Sequence, residues 1–302
     1  MNIKEKLWQT MEKAIWQNIA KGLAISFIYW LAYLAAWFNS LDQWFLPAGV
    51  RAVGLLFLPY RYWPYLFAAD AAALLALRIP TAWQHGKIWA YLSPFLLAPM
   101  VALVPIAFRH KLQRIDEKPI WLPAIVASIA IWSSFCKNFI NSILSGPSEP
   151  DLLEILLRYV AGDFLGILTT VLPIMVWLQV KNDNFFQNNL IRDSIFSILL
   201  TFSAYFFVFP SSIEEFQNRV LLLMCVVVLP SLGLTIKHGW IGSAIGITAV
   251  NLSVFLGFPG FNFSGAYDSI SFLVQQIVIV YAIAALSLGA VISQLFDRSR
   301  KI

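Results

Sequence analysis

Three charged residues, Arg51, Lys137 and Asp163, lie inside long apolar stretches, where an ionisable side chain is costly unless it is paired or binds something. Amide side chains occupy similar positions at Asn138, Asn141, Asn251, Gln275 and Gln276. At ~1.5 Å per residue from the predicted segment ends, these residues fall in the outer half of their segments, whereas Asp70 lies nearer the centre or inner side. An arginine fork beside an ammonium group suits the oxygens of a carboxylate or phosphate. The candidate ligand-binding residues are therefore Arg51, Lys137, Asn141, Asp163, Asn251, Gln275 and Gln276.

Two interpretations of these charges remain open. If the side chains converge, Asp163 can pair with only one of Arg51 and Lys137, and the remaining cation would attract a buried anion. Alternatively, the three charges neutralise one another together with backbone carbonyls and amides, and hold the helices together. Both interpretations predict one connected polar network, directly or through water.

The elements that position these residues are apolar segments. The hydrophobic share of the chain is 59% and the charged share only 12%, too few charges to cover the surface of a soluble domain. Most segments are near the ~20 residues that span a bilayer, and the second and third are short. The segments are 20–38, 44–59, 64–80, 88–108, 120–144, 155–180, 191–209, 219–236, 240–258 and 270–296. We predict an all-α integral membrane protein, a polytopic helical bundle of about ten (8–10) transmembrane segments.

Lys and Arg fall on alternate connections, which predicts the orientation of the bundle. The basic connections include the N-terminus, 109–119 and the C-terminus, so both termini are expected in the cytoplasm. This bias accounts for the net charge of +5 without nucleic acid as a partner. We divide the chain into a basic amphipathic interfacial helix (1–19), a membrane domain (20–296) and a short cytoplasmic tail (297–302).

The sequence carries no recognisable catalytic or metal-binding set. It lacks HExxH, GxSxG and a glycine-rich phosphate loop, and its three histidines are not spaced as ligands. We therefore predict neither an enzyme nor a resident metal or cofactor.

Backbone irregularity is predicted in the second segment and close packing in two later ones. Pro47 and Gly49 loosen the backbone near the outer boundary, which requires burial in protein or a wet cavity, unless Pro47 simply occupies a first helical turn. Glycines spaced as GxxxG, at 162/166 and 242/246, favour close packing inside the bundle over dimerisation.

Four stretches together resemble a known family. FLPAGVRAVGLLFLPYRYWPYLFAADAAALL (45–75) is similar to the Pro-Ala-Gly segment, Trp-Pro turn and small-residue helix of the first type of membrane-associated sensor (MASE) domain, and to the membrane half of the bacterial hexose-phosphate sensor histidine kinase. Further matches follow in order: GDFLGILTTVLP (162–173), LPSLGLTIKHGWIGSAIGITAVNLSV (229–254) and SFLVQQIVIVYAIAALSLGAVISQL (271–295). The similarity covers roughly residues 20–296.

This resemblance implies a sensor of the bacterial inner membrane that feeds a cytoplasmic kinase, cyclase or other output protein through its last helix. After Leu295 this sequence has no phosphoacceptor motif, GGDEF or heptads, so the output is expected on a removed module or a separate chain. Gln275 or Gln276 is expected to sense an occupied site and 297–302 to pass on the movement. A transporter, or a transporter-associated subunit, for a small anionic solute is the alternative, and a membrane enzyme is third. The expected partners are lipid, a small anionic ligand and the output protein.

Overall fold

The structure, a computed structural model, is all-helical in the parts of the chain that it describes. These parts are residues 3–40, 44–112, 121–144, 152–180, 187–208, 213–257 and 269–299. Most of the expected loops 109–119 and 145–154, and the end of the tail at 300–302, lie outside the described residues.

Eleven α-helices occur within the described ranges. They are α1 (Ile3–Phe38), α2 (Leu46–Phe57), α3 (Trp63–Arg78), α4 (Ala82–His85), α5 (Lys87–Val101), α6 (Leu103–Leu112), α7 (Trp121–Leu144), α8 (Leu152–Val180), α9 (Gln187–Val208), α10 (Ile213–Gly257) and α11 (Ser269–Ser299). Within these ranges seven helical stretches are long and apolar enough to cross a membrane, and α2 is a shorter apolar helix. The predicted fold class, a polytopic helical membrane protein, is confirmed.

The fold of α10 is a hairpin of two antiparallel arms, 213–238 and 240–257. Gly239 joins them with φ 62° and ψ −138°, a backbone conformation that a side chain would oppose. The arms pack so closely that a Cβ on Gly242 would collide with the carbonyl of Leu234, and one on Gly246 would collide with Ser231. The predicted segments 219–236 and 240–258 therefore belong to separate arms of this hairpin.

At the N-terminus, α1 is continuous from Ile3 to Phe38, and its part suited to crossing a membrane begins at Ile15. The residues expected to form an interfacial helix and those of the first segment thus share one helix. Large apolar side chains such as Phe27 and Ile28 are exposed along it. Lipid would cover this surface.

The helices form two packed regions. In the first, which we call the N-terminal region, α1, α3 and α5 bury Tyr33, Leu66 and Leu97 in one cluster. In the second, the C-terminal region, α8, α10 and α11 bury a separate cluster that includes Leu168 and Ile247. Helices α2 and α7 contribute to both clusters and thereby join the two regions.

Helix α2 has only 12 residues, about 18 Å of helix, and cannot cross a ~30 Å hydrocarbon layer. It starts inside the bundle, where the Phe45 amide donates to the carbonyl of Gly162 on α8 at 3.2 Å. Pro47 lies in the first helical turn, and both it and Gly49 are buried. The backbones of α2 and α8 touch, since a Cβ on Gly166 would meet the carbonyl of Phe45. The irregular backbone at this depth is therefore covered by protein, as its position in the membrane requires.

Candidate ligand cavity

Arg51 on α2 forms a two-pronged ion pair with Asp70 on α3. Its Nε and Nη2 atoms lie 3.1 Å from Oδ1 and Oδ2 of Asp70, and both side chains are fully buried. The hydroxyl of Tyr29 donates to Asp70 at 2.7 Å, and Arg51 donates to the hydroxyl of Tyr33 at 3.1 Å. These hydrogen bonds offset the free-energy cost of moving both charges from water into the bundle.

Lys137 on α7 forms a second pair with Asp163 on α8. The ammonium nitrogen lies 2.5 Å from Oδ1 of Asp163, and Ser134 donates to Oδ2 at 3.3 Å. The same nitrogen lies 3.8 Å from the ring centroid of Phe45, close enough for a cation–π contact. Asp163 is thus fully occupied within the protein.

These two pairs correct the expected charge pattern. The sequence predicted competition between Arg51 and Lys137 for Asp163, but Asp70 neutralises Arg51 because the half-length α2 brings Arg51 against α3. The positive charge left over by this arrangement is therefore not on Arg51. Among the described contacts no hydrogen bond joins the two pairs, so the single connected network that was expected is not seen directly.

A cavity of about 310 Å³ lies beside the two pairs. Its walls come from the C-terminal parts of α1, α3 and α7 and from the N-terminal parts of α5 and α8. The cavity therefore lies near one end of the bundle. Tyr33, the hydrogen-bond partner of Arg51, and Lys137 both line it. The volume falls in the range of small-molecule sites.

Arg78, at the end of α3, supplies the unpaired charge of this cavity. Its guanidinium donates to the hydroxyl of Ser93 and lies 4.5 Å from the ring centroid of Trp89. Within the described part of the chain it has no acidic partner. The cavity is therefore lined by one neutralised cation, Lys137, and one cation that is free to bind an anion.

Asn141 is the other predicted residue in the cavity. Its side-chain oxygen accepts a hydrogen bond from Trp89 Nε1 at 2.7 Å, and its amide nitrogen has no partner among the described residues. Asn138 instead donates to the carbonyl of Ser134, one turn earlier in α7, at 2.9 Å.

The remaining predicted residues lie outside the cavity lining. Asn251 is buried, accepts from Trp44 Nε1 at 2.5 Å, and donates to Thr169 and to a carbonyl of α8. Gln275 is buried within α11, whereas Gln276 is exposed on its outer surface. The structure thus brings together Lys137 and Asn141 at the cavity, with Arg51 and Asp163 immediately behind it.

Arg78 was missed by sequence reasoning, as were the aromatic side chains of Tyr33 and Trp89. The available signal was the position of Arg78, a cation at the end of a segment on the side where acidic residues predominate. Asp70 was noticed but was placed at another level than Arg51, because the sequence does not show how deep in the bundle the second segment begins.

A bundle with several helices long and apolar enough to cross a membrane defines a multi-pass integral membrane protein. The family model of MASE1 matches residues 19–295, and the chain therefore belongs to the MASE1 family of membrane-associated sensor domains. The resemblance found in the sequence is confirmed, and with it a membrane sensory role. Neither a curated protein nor a solved structure matches the chain.

Proposed function

We propose that this chain is the ligand-binding and signal-relaying membrane module of a sensor, and that its stimulus is a small anion held in the cavity. One observation carries the proposal: Arg78 faces a cavity without an acidic partner among the described residues, while the neighbouring Lys137 is already neutralised by Asp163. An uncompensated cation at membrane depth is costly, and an anion would remove that cost. The proposed role is non-enzymatic.

The proposed location is the bacterial inner membrane, and the distribution of Lys and Arg supports an orientation with both termini in the cytoplasm. In that orientation the cavity faces the outside, since it lies where α1, α3 and α7 end. A ligand could then enter without crossing the membrane.

Contacts that lead away from the cavity support a relay. Phe45 lines the cavity, and the adjacent Trp44 donates its indole hydrogen to Asn251 on the second arm of α10. That arm is bonded to α11, because Ser243 donates to the carbonyl of Ala285 at 2.8 Å and the Trp240 amide donates to Ser293 at 2.9 Å. A ligand that binds better to one arrangement of the segment before α2 could thus change the position of α11. It can shift the equilibrium between the two arrangements only by the difference between its binding free energies for them.

Helix α11 leads towards the C-terminus, so we propose that it delivers the movement to a cytoplasmic output protein, fused or separate. A kinase or a cyclase would fit this role. Gln275, which is buried in α11, could contribute to the response, while 297–302 would carry it onward.

Transport of a small anion is the second candidate, favoured by the half-length α2 that starts inside the bundle. Transporters commonly build their sites from such broken helices. Accumulation of a bound anion inside proteoliposomes would support this alternative over sensing.

The binding proposal is tested with the purified full chain in lipid nanodiscs, titrated calorimetrically with acetate, benzoate, phosphate and glucose 6-phosphate. At least one anion should bind, and Arg78→Gln should weaken its binding roughly tenfold or more through loss of a charge-assisted contact. Arg298→Gln, at an exposed position near the end of α11, is the matched control and should bind as the unchanged chain does. Absence of binding by all four anions, or equal binding by Arg78→Gln, would refute the proposal.

A separate measurement addresses the relay. A fluorophore on a cysteine introduced at Leu295, which is exposed, would report movement of α11 after Cys136 and Cys225 are replaced by alanine. The fluorescence should change on addition of the anion that binds, and should not change in Arg78→Gln. Binding without any change at this position would leave the relay through α11 without support.

A further inference from the structure

The walls of the cavity are more aromatic than a site for a simple ion requires. Five aromatic side chains line it: Tyr33, Trp37, Phe45, Trp89 and Tyr159. Three leucines contribute further apolar surface. Aromatic rings attract one another in stacked or edge-on arrangements, and burial of their apolar surface adds favourable free energy. A ligand with an apolar ring would use these walls, whereas a hydrated inorganic ion would not.

The charge of the cavity sets the charge of the ligand. Lys137 is neutralised by Asp163 at 2.5 Å, and Arg51 by Asp70, which leaves Arg78 as the one surplus charge in the described surroundings. A single negative charge would balance Arg78. A dianion such as a phosphate monoester would leave an uncompensated charge away from water, which is unfavourable.

The charged and amide groups that line the cavity offer donors, and the one amide oxygen is already used. Arg78 and the amide nitrogen of Asn141 can donate, whereas the Asn141 oxygen already accepts from Trp89. The Tyr33 hydroxyl accepts from Arg51, and no Asp or Glu is among the described lining residues. A sugar needs acceptors for its hydroxyl hydrogens, and unpaired hydroxyl groups in a closed site are strongly rejected. A carboxylate needs donors alone.

We infer that the cavity selects a small monocarboxylate with an aromatic ring, of the size and charge of benzoate. The volume of about 310 Å³ lies at the lower end of small-molecule sites, which suits a ligand with a single substituted ring. Arg78 and Asn141 would hold the carboxylate, and Trp37 and its aromatic neighbours would hold the ring. This inference rests on the proposed function and specifies the ligand class of the same site.

The ligand class is tested by competition with radiolabelled benzoate on the full chain in nanodiscs. Acetate shares the carboxylate and lacks the ring, so it should bind on the order of 100-fold more weakly than benzoate. Phosphate and glucose 6-phosphate should compete no better than acetate. If acetate, phosphate or glucose 6-phosphate binds as tightly as benzoate and loses affinity in Arg78→Gln, the ligand class is wrong while the anion site stands. If none of the four binds, the proposed function itself fails.

A substitution in the aromatic wall of the cavity distinguishes a site for aromatic carboxylates from a site for anions in general. Trp37→Ala should weaken benzoate roughly tenfold and leave acetate unchanged, because only the ring contacts this wall. Trp83→Ala is the matched control: Trp83 is 81% exposed near the same end of the bundle and does not line the cavity. Equal losses for benzoate and acetate in Trp37→Ala, or an equal loss of benzoate in Trp83→Ala, would overturn the inference.

Discussion

The N-terminal and C-terminal regions are held together by different chemistry. In the N-terminal region Arg51 and Asp70 join α2 to α3 by two charge-assisted hydrogen bonds, and the hydroxyls of Tyr29 and Tyr33 complete the pair. In the C-terminal region the two arms of α10 and helix α11 meet through glycine and serine. The buried ion pair of this region lies on α8, where Asp163 binds Lys137 of α7 beside the cavity. The contact of α2 with α3 thus depends on electrostatics, and the contact of α10 with α11 depends on close backbone approach.

The difference indicates a division of roles. The stability of a bundle with buried charges depends on how those charges are paired. An anion that binds nearby can therefore change the equilibrium between two conformations of the bundle. Small residues that let backbones touch give contacts that a distant charge hardly affects. The charged helices that border the cavity are therefore suited to receive a stimulus, and the closely packed α10 and α11 are suited to carry it.

The strongest test of the comparison is Asp70→Asn, which leaves Arg51 buried beside a neutral amide. Breaking one side of a buried pair costs about 3–5 kcal/mol, and Arg51 already has one side-chain nitrogen without a partner among the described residues. The free energy of unfolding, measured by SDS titration in mixed micelles, should fall by this amount. The double replacement Arg51→Met with Asp70→Leu should recover most of the loss, since it removes both charges.

The matched control is Asp193→Asn at the end of the bundle. Asp193 pairs with Lys237, whose side chain is 57% exposed, and contacts His238 at 2.9 Å. Water screens the pair with Lys237, so the loss should be clearly smaller than that of Asp70→Asn. If Asp70→Asn costs no more than Asp193→Asn, the N-terminal region does not depend on its buried charges.

A smaller effect is expected from Gly242→Ala in the C-terminal region. The added methyl group would lie 2.7 Å from the carbonyl carbon of Leu234, and backbone cannot rotate away, so we expect a loss of roughly 1–3 kcal/mol in the same SDS titration. Gly233→Ala lies on the same hairpin with nothing within 4 Å, and should be neutral or gain up to about 1 kcal/mol. Equal effects of the two alanines would mean that close approach of the arms is unimportant.

Much of the fold could be predicted because the membrane imposes strong rules. Apolar length and the alternation of basic loops indicated the helical bundle, and the GxxxG spacing indicated internal packing, which the contacts of Gly166 and Gly242 confirm. The depth of α2 was harder to predict than its shortness, because the sequence does not reveal that its first residues are buried inside the bundle. That error carried over to the depth assigned to Arg51.

The site was predicted only in part, because pairing depends on contacts between distant segments. Lys137 with Asp163 could be proposed from their common level, but Arg51 with Asp70 required the true depth of α2. Arg78 was not singled out, since nothing in the local sequence shows that Trp89 folds against it and that Trp89 binds Asn141. Candidates chosen by residue type alone also included Asn251, whose amide is used to join helices.

The smallest effect concerns the link between the two regions, the hydrogen bond from Trp44 to Asn251 at 2.5 Å. Trp44→Phe removes the donor and keeps most of the ring, and Asn251→Leu removes the acceptor at similar volume. In a double-mutant cycle based on SDS titration, the coupling between these changes should be about 1 kcal/mol, the usual net worth of a buried hydrogen bond. The control cycle combines Asn251→Leu with Trp132→Phe. Trp132 also donates its indole hydrogen, but to the carbonyl of Met100 at 2.8 Å and not to Asn251.

Trp132→Phe should destabilise the protein by a similar amount and show almost no coupling to position 251, since the two side chains share no hydrogen bond. A coupling confined to the Trp44 cycle would identify this bond as a direct connection between the segment that borders the cavity and the arm of α10 that holds α11. Equal coupling in both cycles would mean that the loss spreads through the bundle as a whole. The charged helices beside the cavity and the closely packed α10 and α11 would then lack a specific contact that joins them.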